Sequence, residues 1–309
     1  MKAVRVHKFG PPEVISYEDM PKPKPREGEV VVAVKAAGIG PWDALVRSGK
    51  SALAQPLPLT LGADLSGVID SIGPGVAELK VDDEVFGVTN ERFTGAYAEY
   101  AVAKAAMLAG KPKTLNHTHA ASVPVVAATA WQMLFDYAQV TSGQSVLIHG
   151  GAGNVGAYAV QLAKQAGALV ITTAKGKDTG YVRSLGAYGV IDYQVTRFED
   201  RVKEVDVVID TVGGDALDRS YGVLKGGGTL VSSAAIPSED KATQYGIRAA
   251  FFIVQVTRAR LQEIGDLIDA GKLKTEVGEV LWLDEARKGH EMLEGAPHRR
   301  GKIVIKVAD

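Results

Sequence analysis

The sequence contains no cysteine in its 309 residues. This absence excludes disulfides, thiolate metal ligands and cysteine nucleophiles, and it fits a reducing compartment. The formal net charge of −1 offers no bulk attraction to nucleic acid or to an anionic membrane. No apolar run reaches the roughly 18 residues of a membrane span. The N-terminus "MKAVRVHKFGPPEV" also lacks the apolar core of a signal peptide. We therefore expect a soluble, cytoplasmic protein that binds neither nucleic acid nor membranes.

The remaining composition is that of an ordinary globular protein, and its length favours two domains. The first third carries short β-rich segments such as "KAVRV", "GEVVVAVKAAGI" and "LSGVIDSIG", separated by turn-forming stretches such as "PKPKPREG" and "GPGV". Short, regularly spaced strands of this kind predict an antiparallel barrel or sandwich.

The pattern changes at about Ala120, where apolar runs begin to alternate with helix-length segments. "SVLIHG", "ALVITTA", "VDVVIDTVG" and "GTLVSSA" are separated in this way. Continuous β-branched runs with helical crossovers indicate buried parallel strands. The predicted fold class is therefore α/β. A Rossmann-type doubly wound parallel sheet is expected over residues 120–271, with a β-rich domain over residues 1–119. The last strands, within about 272–309, are expected to complete the β-rich domain.

A glycine motif follows the first strand of this alternating region. Gly151, Gly153 and Gly156 match G-x-G-x-x-G, with Asn154 and Val155 between the last two glycines. A strand before the motif and a helix after it are the context that dinucleotide binding requires. Gly151 would permit the tight turn, Gly153 the approach of a pyrophosphate, and Gly156 the close packing of helix and strand. The helix N-terminus would then offer N–H groups to the phosphates. The alternative is a purely structural turn.

The second strand of the region ends without the acid that favours NADH. It ends in Thr173, Ala174 and Lys175, with Lys177 close behind, and the next carboxylate along the chain is Asp178. An acid at this position binds the ribose 2′-hydroxyl of NAD, whereas hydroxyl and ammonium groups suit a 2′-phosphate. The sequence therefore predicts NADPH, held in part by Thr173, Lys175 and Lys177. The alternative is that both lysines are solvated loop residues.

The other strand ends should line the same cleft, because ligands sit outside the carboxyl ends of such sheets. The residues predicted to contact the cofactor from these ends are Tyr193, Val212, Gly213 and Ser233.

Several stretches spread over nearly the whole chain carry a family resemblance. They include "AAGIGPWDALVRSG", "LGADLSGVIDSIGPGVAELKVDDEVFGV", "GAYAEYAVA", "GGAGNVG" and "RRGKIVIKV". The chain resembles the medium-chain dehydrogenase/reductase superfamily, and within it the zinc-free quinone oxidoreductase (zeta-crystallin-like) branch. The resemblance implies a GroES-like N-terminal domain, Thr129 near the nicotinamide, Tyr193 near the adenosine phosphate, and a homodimer formed near "AAFFIVQV".

Where zinc-dependent relatives carry a Cys, this chain has Gly40, and where they carry His-Glu it has Ala63 and Asp64. Catalytic zinc needs about three protein ligands, so we predict no metal. Hydride transfer from NADPH to a quinone or a related conjugated carbonyl is then the expected reaction. The alternatives are an enone double-bond reductase, a catalytically silent NADPH-binding protein, and a dehydrogenase with an unrecognised metal site.

The predicted catalytic residues are Gly40, Trp42, Asp43 and Thr129. Zinc-free relatives usually have Asn at the position of Gly40. Trp42 either faces a planar acceptor or packs in the core, and Asp43 is expected to act structurally rather than in proton transfer.

Three further groups of polar residues receive non-catalytic interpretations. His117 and His119 are read as lying beside a polar helix cap rather than as a metal pair. His149 is expected to satisfy backbone groups or to touch the cofactor. The stretch "HRRGK", from His298 to Lys302, is expected to be a solvated basic turn, and the alternative is that it reaches the cofactor.

Overall fold

The computed structural model describes residues 1–53 and 55–308. These residues divide into two compact units. The first contains Met1–Val125 together with the chain from Gln255 onward, and the second contains Val126–Val254.

Strands and helices follow one another along the chain nearly as the sequence pattern predicts. The strands within the described ranges are β1 (Lys2–Val6), β2 (Ile15–Asp19), β3 (Glu29–Ile39), β4 (Leu59–Thr60), β5 (Asp64–Ile72), β6 (Glu84–Val88), β7 (Tyr100–Lys104), β8 (Leu108–Gly110), β9 (Ser145–His149), β10 (Leu169–Ala174), β11 (Gly189–Asp192), β12 (Val205–Asp210), β13 (Leu224–Ser232), β14 (Arg248–Phe251), β15 (Val277–Trp282) and β16 (Lys302–Lys306). The α-helices are α1 (Pro41–Ser48), α2 (His117–Ala120), α3 (Pro124–Trp131), α4 (Asn154–Gln165), α5 (Thr179–Ser184), α6 (Gly214–Ser220), α7 (Glu239–Tyr245), α8 (Arg258–Asp269) and α9 (Ala286–Leu293). After α3 the chain continues as a π-helical turn over Gln132–Tyr137.

The first unit is built on a largely antiparallel sheet. Its strands run in the order β15-β16-β3-β5-β6-β8, with β7 paired to β3, and a smaller sheet has the order β2-β1-β4. Alternating apolar residues of these strands, such as Val30, Val32, Leu65 and Ile69, are fully buried in one core. Strand β16 pairs antiparallel with β3, so the last strand of the chain lies in this sheet.

The second unit contains the parallel sheet, in the order β11-β10-β9-β12-β13-β14. Each neighbouring pair in it is parallel. The apolar runs of β9 and β12 are fully buried, as expected for strands covered on both faces. The strand order reverses between β9 and β12, which is the point where doubly wound sheets bind ligands.

Helix α8 belongs to the first unit, whereas the sequence pattern predicts its residues in the parallel-sheet domain. Arg258, at its start, donates hydrogen bonds to the carbonyls of Leu108 at 3.0 Å and Ala105 at 2.7 Å. Asp269, at its end, accepts hydrogen bonds from backbone N–H groups of the segment after β8. Both ends of the helix are therefore held by groups of the antiparallel unit, and the division falls at 254/255 instead of 271/272.

Candidate functional site

The glycine loop lies between β9 and α4, as the motif predicts. Its left-handed turn residue is Gly150, with φ of 76°. The N–H of Gly153 closes the turn on the Gly150 carbonyl at 2.8 Å. The tight turn predicted at Gly151 is therefore made by Gly150, because two consecutive glycines offer no local signal for which of them takes the positive φ.

Gly151 and Gly156 are glycines for steric reasons. A Cβ on Gly151 would lie within 3.0 Å of the Thr172 side chain, and a Cβ on Gly156 would lie within 3.0 Å of the backbone of Gly150 and Gly151. Real Cβ atoms essentially never approach other atoms that closely. Helix α4 and the neighbouring strand can therefore pack tightly against the loop only because these side chains are absent.

The loop leads directly into the N-terminus of α4. Gly153 is the N-cap residue and is exposed. Asn154 and Val155 form the first turn, whose N–H groups have no carbonyl of their own helix to bind. Such an N-terminus, bordered by glycine, offers N–H donors and partial positive charge to a phosphate group.

A buried side-chain network supports the loop from below. The N–H of Gly150 donates to the Thr173 hydroxyl at 3.1 Å, and that hydroxyl lies 3.2 Å from His149 Nδ1. His149 Nε2 lies 3.0 Å from the Ser220 hydroxyl, which itself donates to the Ala216 carbonyl. These roles fix a neutral imidazole with its proton on Nε2.

The imidazole of His149 is held neutral by its surroundings. Burial lowers the pKa of His149 to about 4. Its side-chain partners are the hydroxyls of Thr173 and Ser220, rather than the backbone groups expected from the sequence. The Thr173 hydroxyl therefore points into this network and braces the loop.

The end of β10 carries the two predicted lysines. Lys175 and Lys177 are both exposed, on either side of Gly176. A Cβ on Gly176 would lie within 3.0 Å of an Asp192 carboxylate oxygen, so this carboxylate contacts the backbone between the lysines. Tyr193 follows at the end of β11 with 52% of its surface exposed. The end of β10 carries no acid of its own, but the carboxylate of Asp192, at the end of the neighbouring strand β11, lies beside it.

The ends of β12 and β13 are fixed by Asp210. Its fully buried carboxylate accepts hydrogen bonds from the N–H groups of Val212 and Gly213 and from the Ser232 hydroxyl. Gly213 has a φ of 76°, and Val212 is 57% exposed beside it. Ser233 donates its N–H to the Asp210 carbonyl at 3.0 Å. Val212 and Gly213 therefore lie just after β12 and Ser233 just after β13, both at the carboxyl edge of the sheet.

In the first unit, the loop between β3 and α1 is held by Asp43. The Asp43 carboxylate accepts a hydrogen bond from the Gly40 N–H at 2.7 Å and another from the Tyr97 hydroxyl at 3.0 Å. Asp43 is fully buried, and this burial raises its pKa to about 7. These contacts fix the start of α1.

Trp42 lies across Gly40 and against Lys302. A Cβ on Gly40 would fall within 3.0 Å of three ring atoms of Trp42, and Lys302 Nζ lies 4.2 Å from the centroid of that ring. Lys302 also pairs with Asp64 at 3.0 Å. The interpretation of "HRRGK" as a solvated turn is therefore wrong for Lys302, which is 1% exposed and begins β16.

The other predicted residues lie in helices. Thr129 is 7% exposed, within the part of α3 that belongs to the second unit. Asn116 caps α2 by accepting the N–H of His119, which confirms the polar cap. His117 contacts the Ser66 hydroxyl at 2.8 Å.

The described residues contain neither a cluster of metal-ligating side chains nor a membrane-spanning helix. Over residues 1–53 and 55–308, no group of three or more His, Cys, Asp or Glu side chains is arranged to hold a metal ion. Within the same ranges, each helix is too short or too polar to span a lipid bilayer.

Comparisons with known proteins agree with this architecture. Residues 26–113 match the alcohol dehydrogenase GroES-like domain, and residues 185–305 match the family described as zinc-binding dehydrogenase. The quinone oxidoreductase of Sus scrofa is 30% identical, over 99% of this chain and 97% of that protein. The structure of a quinone oxidoreductase from Coxiella burnetii is 37% identical with a TM-score of 0.93, over 100% of this chain and 99% of that one. An Escherichia coli quinone oxidoreductase complexed with NADPH is 28% identical with a TM-score of 0.90, over 99% and 100%.

A doubly wound parallel sheet with a glycine loop, joined to a GroES-like antiparallel domain, defines a two-domain dehydrogenase or reductase. The chain belongs to the medium-chain dehydrogenase/reductase superfamily, in its quinone oxidoreductase branch.

Proposed function

We propose that this protein transfers hydride from NADPH to quinones or related conjugated carbonyls without a catalytic metal. The observation that carries the proposal is the glycine loop, where Gly151 and Gly156 allow tight packing and the exposed N-cap residue Gly153 places no side chain before the first turn of α4. A cradle of this kind suits a pyrophosphate. The related Escherichia coli enzyme, which has the same overall fold, is complexed with NADPH.

Each part of the cofactor has candidate partners in the second unit. The N–H groups of Asn154 and Val155 would bind the pyrophosphate, and exposed Lys175 and Lys177 would bind the ribose 2′-phosphate as point charges. Tyr193 has enough exposed ring to pack against the adenosine. Val212, Gly213 and Ser233 would line the path towards the nicotinamide, and Thr129 would lie near that ring.

The residues present do not suit the zinc that the family description implies. Gly40 and Ala63 offer no ligand atoms. Asp64 does carry a carboxylate, but it is fully buried, pairs with Lys302 and accepts the N–H of Val125 at 2.9 Å. A zinc ion needs about three protein ligands and an open position. We therefore assign no step to a metal.

The chemistry then depends on an acceptor that is already electrophilic. NADPH, when bound, supplies the hydride. In a quinone or an enone, the charge that develops on the carbonyl oxygen is delocalised, so water can deliver the proton that completes the reduction. The protein contributes position, which can supply a large part of the barrier reduction. Asp43 and Tyr97 would fix the Gly40 loop for this purpose.

Steady-state turnover with an acceptor panel tests the proposal. NADPH and a set of quinones are mixed with the protein, and the loss of nicotinamide absorbance is followed with and without a chelator. We expect turnover that the chelator does not change. If NADPH binds in equilibrium dialysis but no quinone or enone is reduced, the protein is a silent NADPH-binding protein and the proposal is wrong. Turnover with enones alone would make it a double-bond reductase.

We also propose that the protein forms a homodimer through the edge of its parallel sheet. β14 is the last strand in the sheet order, and the apolar side chains of Phe251 and Ile253 are 38% and 47% exposed there. Pairing across a two-fold axis would cover an edge otherwise open to aggregation. Light scattering on the purified protein should give twice the 32.6 kDa chain mass. Replacing Ile253 by Lys should shift that mass towards the monomer, whereas a monomeric wild type would contradict the proposal.

A further inference from the structure

Gly40 and Trp42 behave as one packing unit. The Trp42 side chain folds back from the first turn of α1 over the N-cap residue, and its benzo edge fills the space of a Cβ at position 40. Even Ala at this position would meet three ring carbons within 3.0 Å. The glycine is therefore required by the tryptophan, since its φ of −137° is open to any residue.

The ring is held in place by a buried ion pair. Lys302 Nζ lies 4.2 Å from the ring centroid, and the Lys302 side chain is 2% exposed. Its partner Asp64 is 0% exposed and is itself anchored by the Val125 N–H. The indole N–H has no hydrogen-bond partner among the described residues. Packing on Gly40 and contact with the Lys302 cation therefore set the orientation of the ring.

Trp42 is a partly buried residue, unlike the charged residues that hold its ring. A rigid, partly exposed indole offers a flat apolar face at low cost in conformational entropy. An amide side chain at position 40 would instead offer hydrogen-bonding groups, but the Trp42 ring already occupies the space that its Cβ would need.

We propose that Trp42 is the specificity-determining residue for the acceptor, and that it selects planar, multi-ring acceptors over small acyclic ones. Gly40 and the Lys302–Asp64 pair act as positioning residues for it. This inference rests on the proposed function, because it requires an acceptor site at the β3–α1 loop. Stacking and apolar burial on the indole grow with the number of fused rings, so a naphthoquinone gains from Trp42 and an acyclic enone does not.

The first test compares two acceptors in W42A and W42F. For W42A, we expect kcat/KM with naphthoquinone to fall about tenfold, mainly through KM, and kcat/KM with methyl vinyl ketone to change less than about twofold. W42F should fall between W42A and the wild type. The matched control is W282A, because Trp282 also stacks on a lysine, Lys306, at 4.9 Å, and is 49% exposed. The acceptor ratio of W282A should equal that of the wild type.

The second test is a double-mutant cycle between positions 40 and 42. G40A displaces the ring and should reproduce most of the naphthoquinone loss, while G40A added to W42A should cost nothing further. Dialysis should show unchanged NADPH binding in each variant. If G40A fails to fold, W42A and W42F still decide the outcome.

The two acceptors and the wild-type control distinguish a failure of the Trp42 specificity role from a failure of the proposed reductase function. Equal losses for both acceptors in W42A, or no loss at all, would overturn the specificity role and leave the NADPH reductase standing. A wild-type protein that reduces no acceptor would overturn the proposed function itself.

Discussion

Two loops of this molecule depend on glycine, but for different reasons. At Gly156, in the glycine loop, an added Cβ would strike backbone atoms of Gly150 and Gly151. At Gly40, in the β3–α1 loop, it would strike the side chain of Trp42. A conflict with backbone can be relieved only by moving the fold, whereas a conflict with a side chain disappears when that side chain changes. Glycine at position 156 is therefore required by the fold, whereas glycine at position 40 is required only while Trp occupies position 42.

Replacing Gly156 by Val tests the backbone side of this comparison and should have the largest effect. The new side chain would force α4 away from the loop, so we expect NADPH affinity to fall at least about a hundredfold and the melting temperature to fall with it. Dialysis and thermal unfolding measure the two effects. In the control G180A, the added Cβ meets nothing within 4 Å in α5 and should leave binding unchanged. Wild-type NADPH affinity in G156V would contradict the packing argument.

The charge at the end of β10 is tested by exchanging both lysines. K175E/K177E should weaken NADPH binding about tenfold to a hundredfold and NADH binding less than about threefold, because only NADPH carries the 2′-phosphate. Lys203 is also exposed in the second unit, so K203E serves as the control. Equal losses for the two cofactors would show that the phosphate binds elsewhere.

His149 tests whether the buried network braces the glycine loop. Because the pKa of His149 is lowered from 6.5 to about 4 by burial, the unfolded chain binds more protons between these pH values. Stability should therefore be complete above pH 6.5 and should fall as the pH drops towards 4, by up to a few kcal/mol.

The variant H149N should show a shallower pH dependence of the melting temperature over that window. It should also lose about 1–3 kcal/mol of stability at neutral pH, since the Thr173 and Ser220 hydroxyls lose a partner. H298N, at an exposed histidine, is the control and should follow the wild type. An unchanged pH slope in H149N would mean that another group carries the dependence.

Asp192 should give the smallest effect. Its carboxylate contacts Gly176 between the two lysines, so D192N removes a negative charge near the expected 2′-phosphate. NADPH affinity should rise about twofold to fivefold, with little change for NADH. A loss of NADPH affinity would show that the carboxylate binds the ribose instead.

The sequence predicts the parallel sheet and its loop well, because both depend on local patterns. Buried strands need continuous β-branched runs, and the requirement for glycine at 151 and 156 comes from spacing within one βαβ unit. The family resemblance extends the prediction to the GroES-like domain. These features are determined within short stretches of chain.

The contacts that the sequence does not reveal join distant residues. His149 contacts Thr173 and Ser220, which are 24 and 71 residues away along the sequence. Lys302 looks like part of a solvated basic turn, and only the pairing of β16 with β3 brings it to Asp64 and Trp42. Glycine is required at position 40 because of Trp42, only two residues away. The Trp42 ring folds back over Gly40, and residue propensities do not predict that side-chain orientation.

The most direct measurement is a stoichiometric turnover assay with chelator-treated protein, NADPH and naphthoquinone. The account predicts that one hydroquinone forms for each NADPH consumed, that NADPH is used in preference to NADH, and that added zinc has no effect. Bound NADPH that is never consumed, or activity that appears only when zinc is restored, would contradict it.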